Sequence, residues 1–506
     1  MELTLPHLLR RCSGKFPDKQ GLVWENGRWS FAQWEKRAAV RAAFLSGLGV
    51  TPGEHVATLL PNGPQALATF HALWKLGAVV VPLNTRLSGG ELAQLIEHCQ
   101  ARSVIYGEAF AELAQELKRR ITGVERWLCC GMGLRPDTNL DWLAVGHGRL
   151  DQEHPVREDD LACLLYTAGT TGRPKGVMLS HRNCLWAAVN LAQDSQFAPH
   201  YRVLLVFPLF HAAAFSLANA CLYLGCTLVS MSNFSAQVVM ETMQEERLSK
   251  VALPPTAWNF ILQLPDLGKY DTSSLQSISS GGSAMPQETR DRLCEIFPGA
   301  RLGETYGMTE TAAAITTLRP DDDPGRPGCV GRAFTNMEVR VEGVDGDVLP
   351  PGQVGEVLAR GPNLMLGYYR DPEETAAALR HGWLHTGDLG YLDTEGQLYL
   401  VDRKKDLIIS GGENIYPREV EEVLFRHPAV ADAAVIGLPD PLWGERVHAC
   451  LVLKPGTTLD QDQVIAFCQE RLASYKKPRS VEFLADIPRS AAGKALKNLL
   501  RGRSQS

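Results

Sequence analysis

The chain of 506 residues lacks the features that mark several large classes of protein. Its 12 cysteines are scattered, and no Cys-x-x-Cys pair or cysteine–histidine cluster at metal spacing occurs, so neither a disulfide framework nor a structural zinc site is expected. Basic charge is not in excess: a net charge of −6 argues against a protein that coats nucleic acid or an anionic membrane. No signal peptide is recognisable at the N-terminus, and we expect a cytoplasmic protein.

A membrane-spanning helix is also not expected, although one stretch requires a check. Residues 203–240 contain no Asp, Glu, Lys or Arg, and a membrane helix needs only roughly 20 apolar residues. Pro208, Asn219 and Gly225 interrupt this stretch, together with several hydroxyl residues. The pattern predicts two strands on either side of a short helix, all within a buried α/β core.

The order of strand and helix patterns predicts an α/β fold. The length of the chain indicates more than one domain. Strand and helix patterns alternate from the first hundred residues to the 250s, which is typical of parallel sheets covered by helices. Short strands with Gly/Pro turns around residues 339–361 predict a small β subdomain. A new α+β pattern begins after residue 402. We therefore predict a large domain over residues 1–402 and a small one over 403–506.

A Gly/Thr-rich loop is the most informative segment. Residues 167–176 read Thr-Ala-Gly-Thr-Thr-Gly-Arg-Pro-Lys-Gly and follow a short apolar run that predicts a buried strand. Such a turn exposes backbone N–H groups and hydroxyls, which suits phosphate. A Walker A loop is excluded because four residues would have to separate its glycines, with Ser or Thr after its lysine. For the loop in isolation, a solvated turn remains the favoured interpretation.

Four further segments carry side chains suited to a nucleotide. Residues 280–284 (Ser-Gly-Gly-Ser-Ala) allow close backbone approach to a flat ligand. Residues 303–310 (Gly-Glu-Thr-Tyr-Gly-Met-Thr-Glu) offer an aromatic ring, hydroxyls and a carboxylate able to hold Mg²⁺. Residues 383–388 end in an acid that could clamp a ribose, and residues 488–494 end in a lysine on a glycine-bearing loop. Each segment alone is more often a turn or a solvated charge.

Taken together and in this order, the segments resemble the adenylate-forming superfamily of acyl-CoA synthetases, aryl-CoA ligases, peptide-synthetase adenylation domains and firefly-type luciferases. The resemblance covers essentially the whole chain, from residues 82–87 to the terminal lysine loop. Residues 410–417, Ser-Gly-Gly-Glu-Asn-Ile-Tyr-Pro, are most similar to those of bacterial fatty-acyl- and aryl-CoA ligases. The resemblance implies an enzyme that activates a carboxylic acid with ATP and transfers it to CoA.

The resemblance also assigns residues to the first half-reaction. Lys494 would bridge the carboxylate and the α-phosphate, Glu310 and Thr170 would hold Mg²⁺, Tyr306 would stack on adenine, and Asp388 with Arg403 would bind the ribose. The full set implied for ATP or AMP is Thr167, Ala168, Gly169, Thr170, Thr171, Gly172, Lys175, Gly282, Ser283, Ala284, Glu304, Thr305, Tyr306, Gly307, Thr309, Asp388 and Arg403. Ala168 stands where the family usually has serine, and weaker ATP binding rather than inactivity is expected.

For the second half-reaction the resemblance implies rotation of the small domain about Lys405. Rotation would bring Gly411 and Gly412 to the tunnel for the pantetheine arm of CoA. The phosphates of CoA require cations, for which Lys476, Lys477, Arg479 and Arg86 are candidates. A solvated surface patch is an equally good interpretation of these basic residues. The candidates for CoA are Gly411, Gly412, Glu413, Lys476, Lys477, Arg479 and, across the cleft, Arg86.

The acid is expected to be an apolar monocarboxylate, with a medium- or long-chain fatty acid ahead of an aryl acid. By the resemblance His211 contacts the acyl group, and the remaining pocket candidates are Ala212, Phe215, Trp258 and Gly281. Ordinary helix packing explains residues 212–214 at least as well.

Rival functions are a ligase that loads a carrier protein, a luciferase-like oxygenase and a non-catalytic nucleotide-binding protein. We rank them lower because the chain has no attached carrier domain, residues 410–417 resemble ligases, and both Glu310 and Lys494 are present. The sequence leaves open a monomer or a homodimer, and peripheral contact with a membrane.

Overall fold

The computed structural model describes residues 3–131, 138–139, 153–167, 174–283, 285–319, 322, 328–489 and 495–504. In chain order its strands are β1 (Gln20–Trp24), β2 (Gly27–Ser30), β3 (His55–Leu59), β4 (Val79–Pro82), β5 (Ser103–Gly107), β6 (Arg126–Cys130), β7 (Thr138–Asn139), β8 (Leu161–Thr167), β9 (Lys175–Ser180), β10 (Arg202–Leu205), β11 (Thr227–Ser230), β12 (Lys250–Leu253), β13 (Ser277–Gly281), β14 (Arg301–Tyr306), β15 (Thr316–Thr317), β16 (Arg332–Ala333), β17 (Glu338–Glu342), β18 (Gly355–Arg360), β19 (Gly367–Tyr368), β20 (Leu379–Arg380), β21 (Trp383–Leu392), β22 (Leu398–Arg403), β23 (Ile408–Ser410), β24 (Glu413–Ile415), β25 (Val430–Asp440), β26 (Gly444–Leu453) and β27 (Ser480–Phe483).

The helices cover the faces of the sheets that these strands form. In chain order they are α1 (Leu5–Lys15), α2 (Phe31–Gly47), α3 (Pro64–Lys75), α4 (Gly89–His98), α5 (Ala111–Arg120), α6 (His181–Asp194), α7 (Ala212–Leu224), α8 (Ala236–Glu245), α9 (Pro255–Leu262), α10 (Gln287–Ile296), α11 (Pro372–Ala378), α12 (Pro417–Phe425), α13 (Gln461–Gln469) and α14 (Lys497–Arg503).

The first large sheet has the strand order β16-β15-β14-β13-β12-β10-β11-β1-β2. Its central strands run parallel, and β2, β15 and β16 add antiparallel edges. Strands β10 and β11 with helix α7 between them occupy residues 202–230, so the predicted strand–helix–strand unit is confirmed. No helix among the described residues is long and apolar enough to cross a membrane.

The second large sheet has the order β19-β9-β8-β4-β3-β5-β6-β7. Strands β4, β3, β5 and β6 are parallel, β8 pairs parallel with β4, and β9 returns antiparallel beside β8. Thr167 and Lys175 face each other where β8 ends and β9 begins. The Gly/Thr-rich loop therefore starts and finishes at neighbouring points of one hairpin.

Helices α2, α3, α6 and α7 lie between the two large sheets and join them into one core. A single buried cluster contains Leu22 and Val203 from the first sheet and Val56 and Leu165 from the second. Trp74 at the end of α3 also donates from its indole nitrogen to the carbonyl oxygen of Ala162, at 3.0 Å. This large α/β unit confirms the predicted fold class.

The rest of the chain forms two smaller sheets. The first has the order β17-β18-β21-β20 with β22 beside β21, and the second has the order β24-β23-β26-β25 with β27 beside β26. The chain passes from one to the other between Arg403 and Ile408, through a single 3₁₀ turn at Lys404–Asp406. The boundary at residues 402 and 403 stays a prediction.

Hydrogen bonds and one ion pair connect helices α12 and α14 of the C-terminal unit to β22 and to this crossing. The Asp402 carboxylate accepts from the backbone N–H of Arg418 at 2.9 Å, and the Arg418 guanidinium donates to the Leu400 carbonyl at 3.0 Å. Asp406 pairs with Arg501 of α14 at 3.2 Å. These contacts hold the last segment of the chain against the crossing.

Within the large unit, Lys75 is a fully buried charge with two partners. Its side chain is 0% exposed, and its ammonium lies 2.6 Å from a Glu35 oxygen and 2.7 Å from a Glu153 oxygen. Removing one member of a buried ionic group leaves the others charged in a medium of low polarity, which is strongly destabilising.

We predict that Lys75→Met destabilises the large unit by about 3–5 kcal/mol, because two carboxylates lose their counter-ion. The measurement is the midpoint of urea unfolding followed by tryptophan fluorescence. Lys15→Met, at an exposed position in α1, is the control and should leave the midpoint unchanged. A Lys75→Met midpoint equal to that of the control would contradict the prediction.

Candidate active site

Strands β13 and β14 deliver the first group of site residues to one edge of a parallel sheet. Gly281 and Thr305 are paired near the carboxyl ends of these strands, the edge at which open α/β sheets bind ligands. A Cβ atom on Gly281 would lie 2.8 Å from the Thr305 carbonyl oxygen, so the close approach of the two strands requires glycine there. Gly282 then turns the chain with φ +83°.

Two sheets meet at the next group of site residues. Tyr306 comes from the first large sheet, and Asp388 and Arg403 are paired in a smaller one. The Tyr306 hydroxyl donates to Asp388 Oδ2 at 2.7 Å, and Arg403 Nε lies 2.9 Å from Asp388 Oδ1. Burial raises the pKa of Tyr306, so its hydroxyl keeps its proton and remains a donor. The Asp388 carboxylate raises the pKa of Arg403. Three residues chosen from sequence for adenine and ribose therefore form one hydrogen-bonded group.

Glu310 lies in the 3₁₀ turn Thr309–Thr311 and is 6% exposed. One of its oxygens accepts from the Tyr368 hydroxyl at 2.8 Å, and within the described part of the chain its other oxygen accepts no hydrogen bond. A carboxylate oxygen is a ligand that Mg²⁺ prefers, so this donor fits the ion. Sequence reasoning missed Tyr368, because a single tyrosine in β19 belongs to no motif.

Lys175 contacts the other side of the same tyrosine. Its ammonium lies 4.9 Å from the centroid of the Tyr368 ring and 2.6 Å from a Glu374 oxygen. Lys175 and Glu310 therefore both touch Tyr368, one at the ring face and one at the hydroxyl. Glu374, in helix α11, is a second site residue that sequence reasoning missed, because it belongs to no motif.

A tight turn after Glu310 is held by Asn363 and by the close approach of Gly307. Ala312 and Ala313 both have positive φ, +47° and +67°, a strained conformation for residues with a Cβ. Buried Asn363 donates to the Thr311 carbonyl at 2.7 Å and to the Ala314 carbonyl at 2.8 Å. Gly307 lies so close to this turn that an added Cβ would be 2.3 Å from the Ala313 carbonyl carbon. These contacts fix the position of Glu310.

The assignment of Glu304 to the nucleotide stays a prediction, because its side chain is occupied elsewhere. Its side chain is buried and forms an ion pair with Arg290 of α10, which is itself buried. Burial raises the pKa of Glu304, and the arginine opposes this shift. The carboxylate is thus used to anchor β14 to α10. Its neighbour Thr305 faces the opposite side of β14, where its hydroxyl lies 3.3 Å from that of Thr317. Thr309 is half-buried at the start of its turn.

Two of the residues predicted to line the acyl pocket, Phe215 and Trp258, lie in separate buried clusters. His211 caps α7 with its ring 4.5 Å from that of Phe210. Buried Phe215 packs on Trp74 with ring centroids 5.5 Å apart, in the core between the two large sheets, which also contains Ala212. Trp258 belongs to a separate buried cluster and packs on Phe297. Phe215 and Trp258 therefore pack in different buried clusters, and the acyl pocket assigned from sequence stays a prediction.

In the smaller C-terminal unit, Gly411 and Gly412 form the two-residue turn between β23 and β24. Their φ values are +62° and +84°, the conformation of a hairpin turn that favours glycine at both positions. The backbone N–H of Gly411 donates to the Trp443 carbonyl at 2.8 Å. The Arg479 guanidinium lies 4.7 Å from the Trp443 ring centroid. Sequence reasoning missed Trp443, an exposed aromatic residue outside any recognised motif.

The remaining candidates for CoA and for the hinge are exposed or half-buried. Lys476 pairs with Glu419 at 2.7 Å, and Lys477 donates to Gln469 at 2.9 Å. Arg86, Lys405 and Glu413 are exposed. Ser283 is half-buried beside the turn at Gly282. Seven candidates lie outside the described residues, namely Ala168, Gly169, Thr170, Thr171, Gly172, Ala284 and Lys494.

Comparison with known proteins identifies the family. Residues 9–369 match the model of an AMP-binding enzyme, and residues 419–494 match that of the AMP-binding enzyme C-terminal domain. A feruloyl-CoA synthase of Amycolatopsis is 39% identical over 94% of each chain. A long-chain-fatty-acid–CoA ligase of Mycobacterium tuberculosis is 36% identical over 94% of this chain and 93% of its own.

A solved structure agrees with these matches. The o-succinylbenzoate CoA synthetase of Bacillus subtilis, in complex with its acyl-adenylate intermediate, superposes with a TM-score of 0.88 at 32% identity over 99% of this chain and 98% of its own. The chain therefore belongs to the adenylate-forming superfamily of AMP-binding enzymes, as an AMP-forming CoA ligase.

Proposed function

We propose that this ligase joins a carboxylic acid to CoA in two half-reactions at the site formed by Tyr306, Asp388, Arg403 and Glu310. The convergence of the first three residues supports this proposal most directly, because a hydroxyl, a carboxylate and a guanidinium meet at 2.7 and 2.9 Å beside a second carboxylate. Asp388 would accept hydrogen bonds from the ribose hydroxyls, and Arg403 would hold that carboxylate in place.

In the first half-reaction, a carboxylate oxygen of the acid attacks the α-phosphorus of ATP, and the bond to the bridging oxygen of pyrophosphate breaks. The acid is already ionised at neutral pH, so no general base is required. The obstacle is repulsion between two anions, and the protein must supply cations and N–H donors directed at the phosphoryl oxygens. We assign this task to Lys175, the Gly/Thr-rich loop and Lys494.

The Mg²⁺ ion that accompanies ATP would be held by Glu310, with Thr170 as a second candidate. When bound, the ion neutralises charge on the phosphates. The protein's own contribution is positional. Tyr368 fixes one oxygen of Glu310, and Asn363 fixes the turn that follows, so the second carboxylate oxygen keeps a defined direction.

In the second half-reaction, the CoA thiol attacks the acyl carbon of the acyl-adenylate, and AMP leaves. We propose that the C-terminal unit rotates about Lys405 between the steps, withdrawing Lys494 and bringing the Gly411–Gly412 turn to the acyl group. Trp443 and Arg479 beside this turn present an aromatic face and a positive charge, which suit a base and a phosphate of CoA.

The acid is the least determined substrate. The sequence favoured a medium- or long-chain fatty acid, but Phe215 and Trp258 lie in separate cores and so give no support to this preference. The names of the relatives include a feruloyl-CoA synthase and a long-chain-fatty-acid–CoA ligase, so an aryl acid is an equal candidate. Loading of a carrier protein instead of CoA is the second function to test.

We predict that Asp388→Asn raises the KM for ATP by about 10- to 100-fold, because a hydrogen bond to a charged group contributes about 1.5–3 kcal/mol. Pyrophosphate release as a function of ATP concentration measures the effect. Tyr306→Phe keeps the ring and removes only the hydroxyl that orients Asp388, and should cost less. Asp345→Asn, at an exposed position, is the control. An unchanged KM in Asp388→Asn would refute the ribose assignment.

Lys494→Ala should lower the rate of pyrophosphate release by at least ~100-fold, since it removes a cation from the transition state. Thioester formation from synthetic acyl-AMP and CoA should persist, because Lys494 is assigned to the first half-reaction alone. Both steps are followed by chromatography of the products. The exposed Lys454→Ala serves as control. Equal loss of both half-reactions would show that the assignment is wrong.

Gly412→Ala should slow thioester formation by about 10-fold and leave pyrophosphate release unchanged. An added Cβ meets no atom within 4 Å in the described state, so any steric effect arises when the thiol arm passes. Gly456→Ala is a matched control in the same unit, with φ +79° and equally free surroundings. It carries the same backbone strain, roughly 1 kcal/mol. If the two variants behave alike, the turn does not line the path of CoA.

A further inference from the structure

A small cavity of about 40 Å³, lined mainly by residues with polar side chains, lies on one face of the first large sheet, beside the proposed site. Side chains alternate between the two faces of a strand, and Ser277, Ser279, Gly303, Thr305 and Thr317 share the face that lines this cavity. Thr305 marks the end near the nucleotide site, since it precedes Tyr306 and pairs with Gly281. Arg301, four residues earlier in β14, marks the far end, about 13 Å away along the strand.

Lys250 lines the far end and is a buried cation without a carboxylate. The residue is 3% exposed, and its ammonium donates to Ser277 Oγ at 2.9 Å and lies 5.0 Å from the Phe197 ring centroid. No carboxylate of the described residues lies within ion-pair distance of it. Burial lowers the pKa of Lys250 to about 8, so the protonated form still predominates at neutral pH.

The contrast with Lys75 shows what Lys250 lacks. Lys75 is equally buried, and two carboxylates compensate its charge. A buried charge without a counter-ion is costly, and such groups are normally paired. Lys250 also borders the cavity, where its ammonium group is placed to donate to an oxygen acceptor of a ligand.

Two arginines strengthen the positive potential at the same end. Arg301 donates to Gln196 at 2.7 Å, and Arg319 lies 3.8 Å from Asp194. Asp194 also accepts from the backbone and hydroxyl of Thr335, at 2.6 and 2.7 Å. Asp194 pairs with Arg319 alone of these three cations, so positive charge is in excess at this end of the cavity, which suits an oxygen anion or acceptor.

We propose that the acid substrate carries a second oxygen function at its far end, which Lys250 binds while the first carboxylate reacts with ATP. This inference rests on the proposed function, because it extends the acid site away from Thr305 and Gly281. The shared chemistry is an oxygen that accepts from an ammonium group, supplied by a second carboxylate or by a phenolic hydroxyl. A plain alkyl chain in the same position would bury Lys250 and the serine and threonine hydroxyls beside hydrocarbon, which is unfavourable.

Matched pairs of acids test this inference on the full chain. One arm compares 4-hydroxycinnamic with cinnamic acid, and the other compares octanedioic with octanoic acid, by pyrophosphate release with ATP and CoA. In one of the two arms, we expect the acid that carries the far oxygen to have a kcat/KM at least 10-fold higher than its plain partner. A preference for 4-hydroxycinnamic acid would identify the far group as a phenol, and a preference for octanedioic acid would identify it as a carboxylate. Equal or better use of both plain acids would overturn the inference and leave the ligase assignment intact.

Substitution of the lysine locates the effect. Lys250→Met should lower kcat/KM for the preferred acid by at least 10-fold and leave the plain partner unchanged or improved. Lys250→Gln keeps a hydrogen-bond donor, so its kcat/KM for the preferred acid should lie between those of the unchanged protein and Lys250→Met. It provides the same comparison if the methionine variant does not fold. Lys269→Met, at an exposed position, is the control. Equal losses for both members of a pair would contradict a contact between Lys250 and the far oxygen. Absence of pyrophosphate release with every acid would refute the ligase function and this inference together.

Discussion

The hydrogen bond between Tyr306 and Asp388 is the contact on which the site depends. It joins the end of a parallel strand in the first large sheet to an antiparallel strand in a smaller sheet. Arg403, opposite Asp388 in the next strand, pairs with the same carboxylate and is followed immediately by the crossing to the C-terminal unit. The nucleotide groups and the pivot of the proposed rotation are therefore only a few residues apart.

Sequence patterns predicted the elements and the residues that short motifs carry. The apolar runs around residues 203–230 fold as a strand, a helix and a strand, and Tyr306, Asp388 and Arg403 do meet. Residues fixed by tertiary contacts escaped prediction. Tyr368, Asn363 and Trp443 act through partners far away in the chain, and no spacing in the sequence reveals such partners. The ion pair of Glu304 escaped prediction for the same reason, because its partner Arg290 lies in a different element.

The acid pocket was the least predictable part, because its character depends on which face of a strand each residue occupies and on what lies opposite. The small and apolar residues near His211 suggested a hydrocarbon pocket, but Ala212 and Phe215 pack in the core between the large sheets, whereas Trp258 packs in a separate cluster. Lys250 begins a strand in an otherwise apolar stretch, where a lysine gives no signal by itself. Its meaning depends on the absence of a carboxylate among the described residues around it, and that is a property of the folded chain.

The ion pair between Lys175 and Glu374 means that a carboxylate already occupies the ammonium group that we assign to phosphate. On the proposed assignment Lys175 serves the β- and γ-phosphates, so ATP must displace a carboxylate that already lies 2.6 Å from the ammonium. On this assignment the same carboxylate would compete for Lys175 again once the bond to the α-phosphorus has broken. Such competition would lower the affinity for ATP and for pyrophosphate alike, and weaker binding of pyrophosphate would make the activation step harder to reverse.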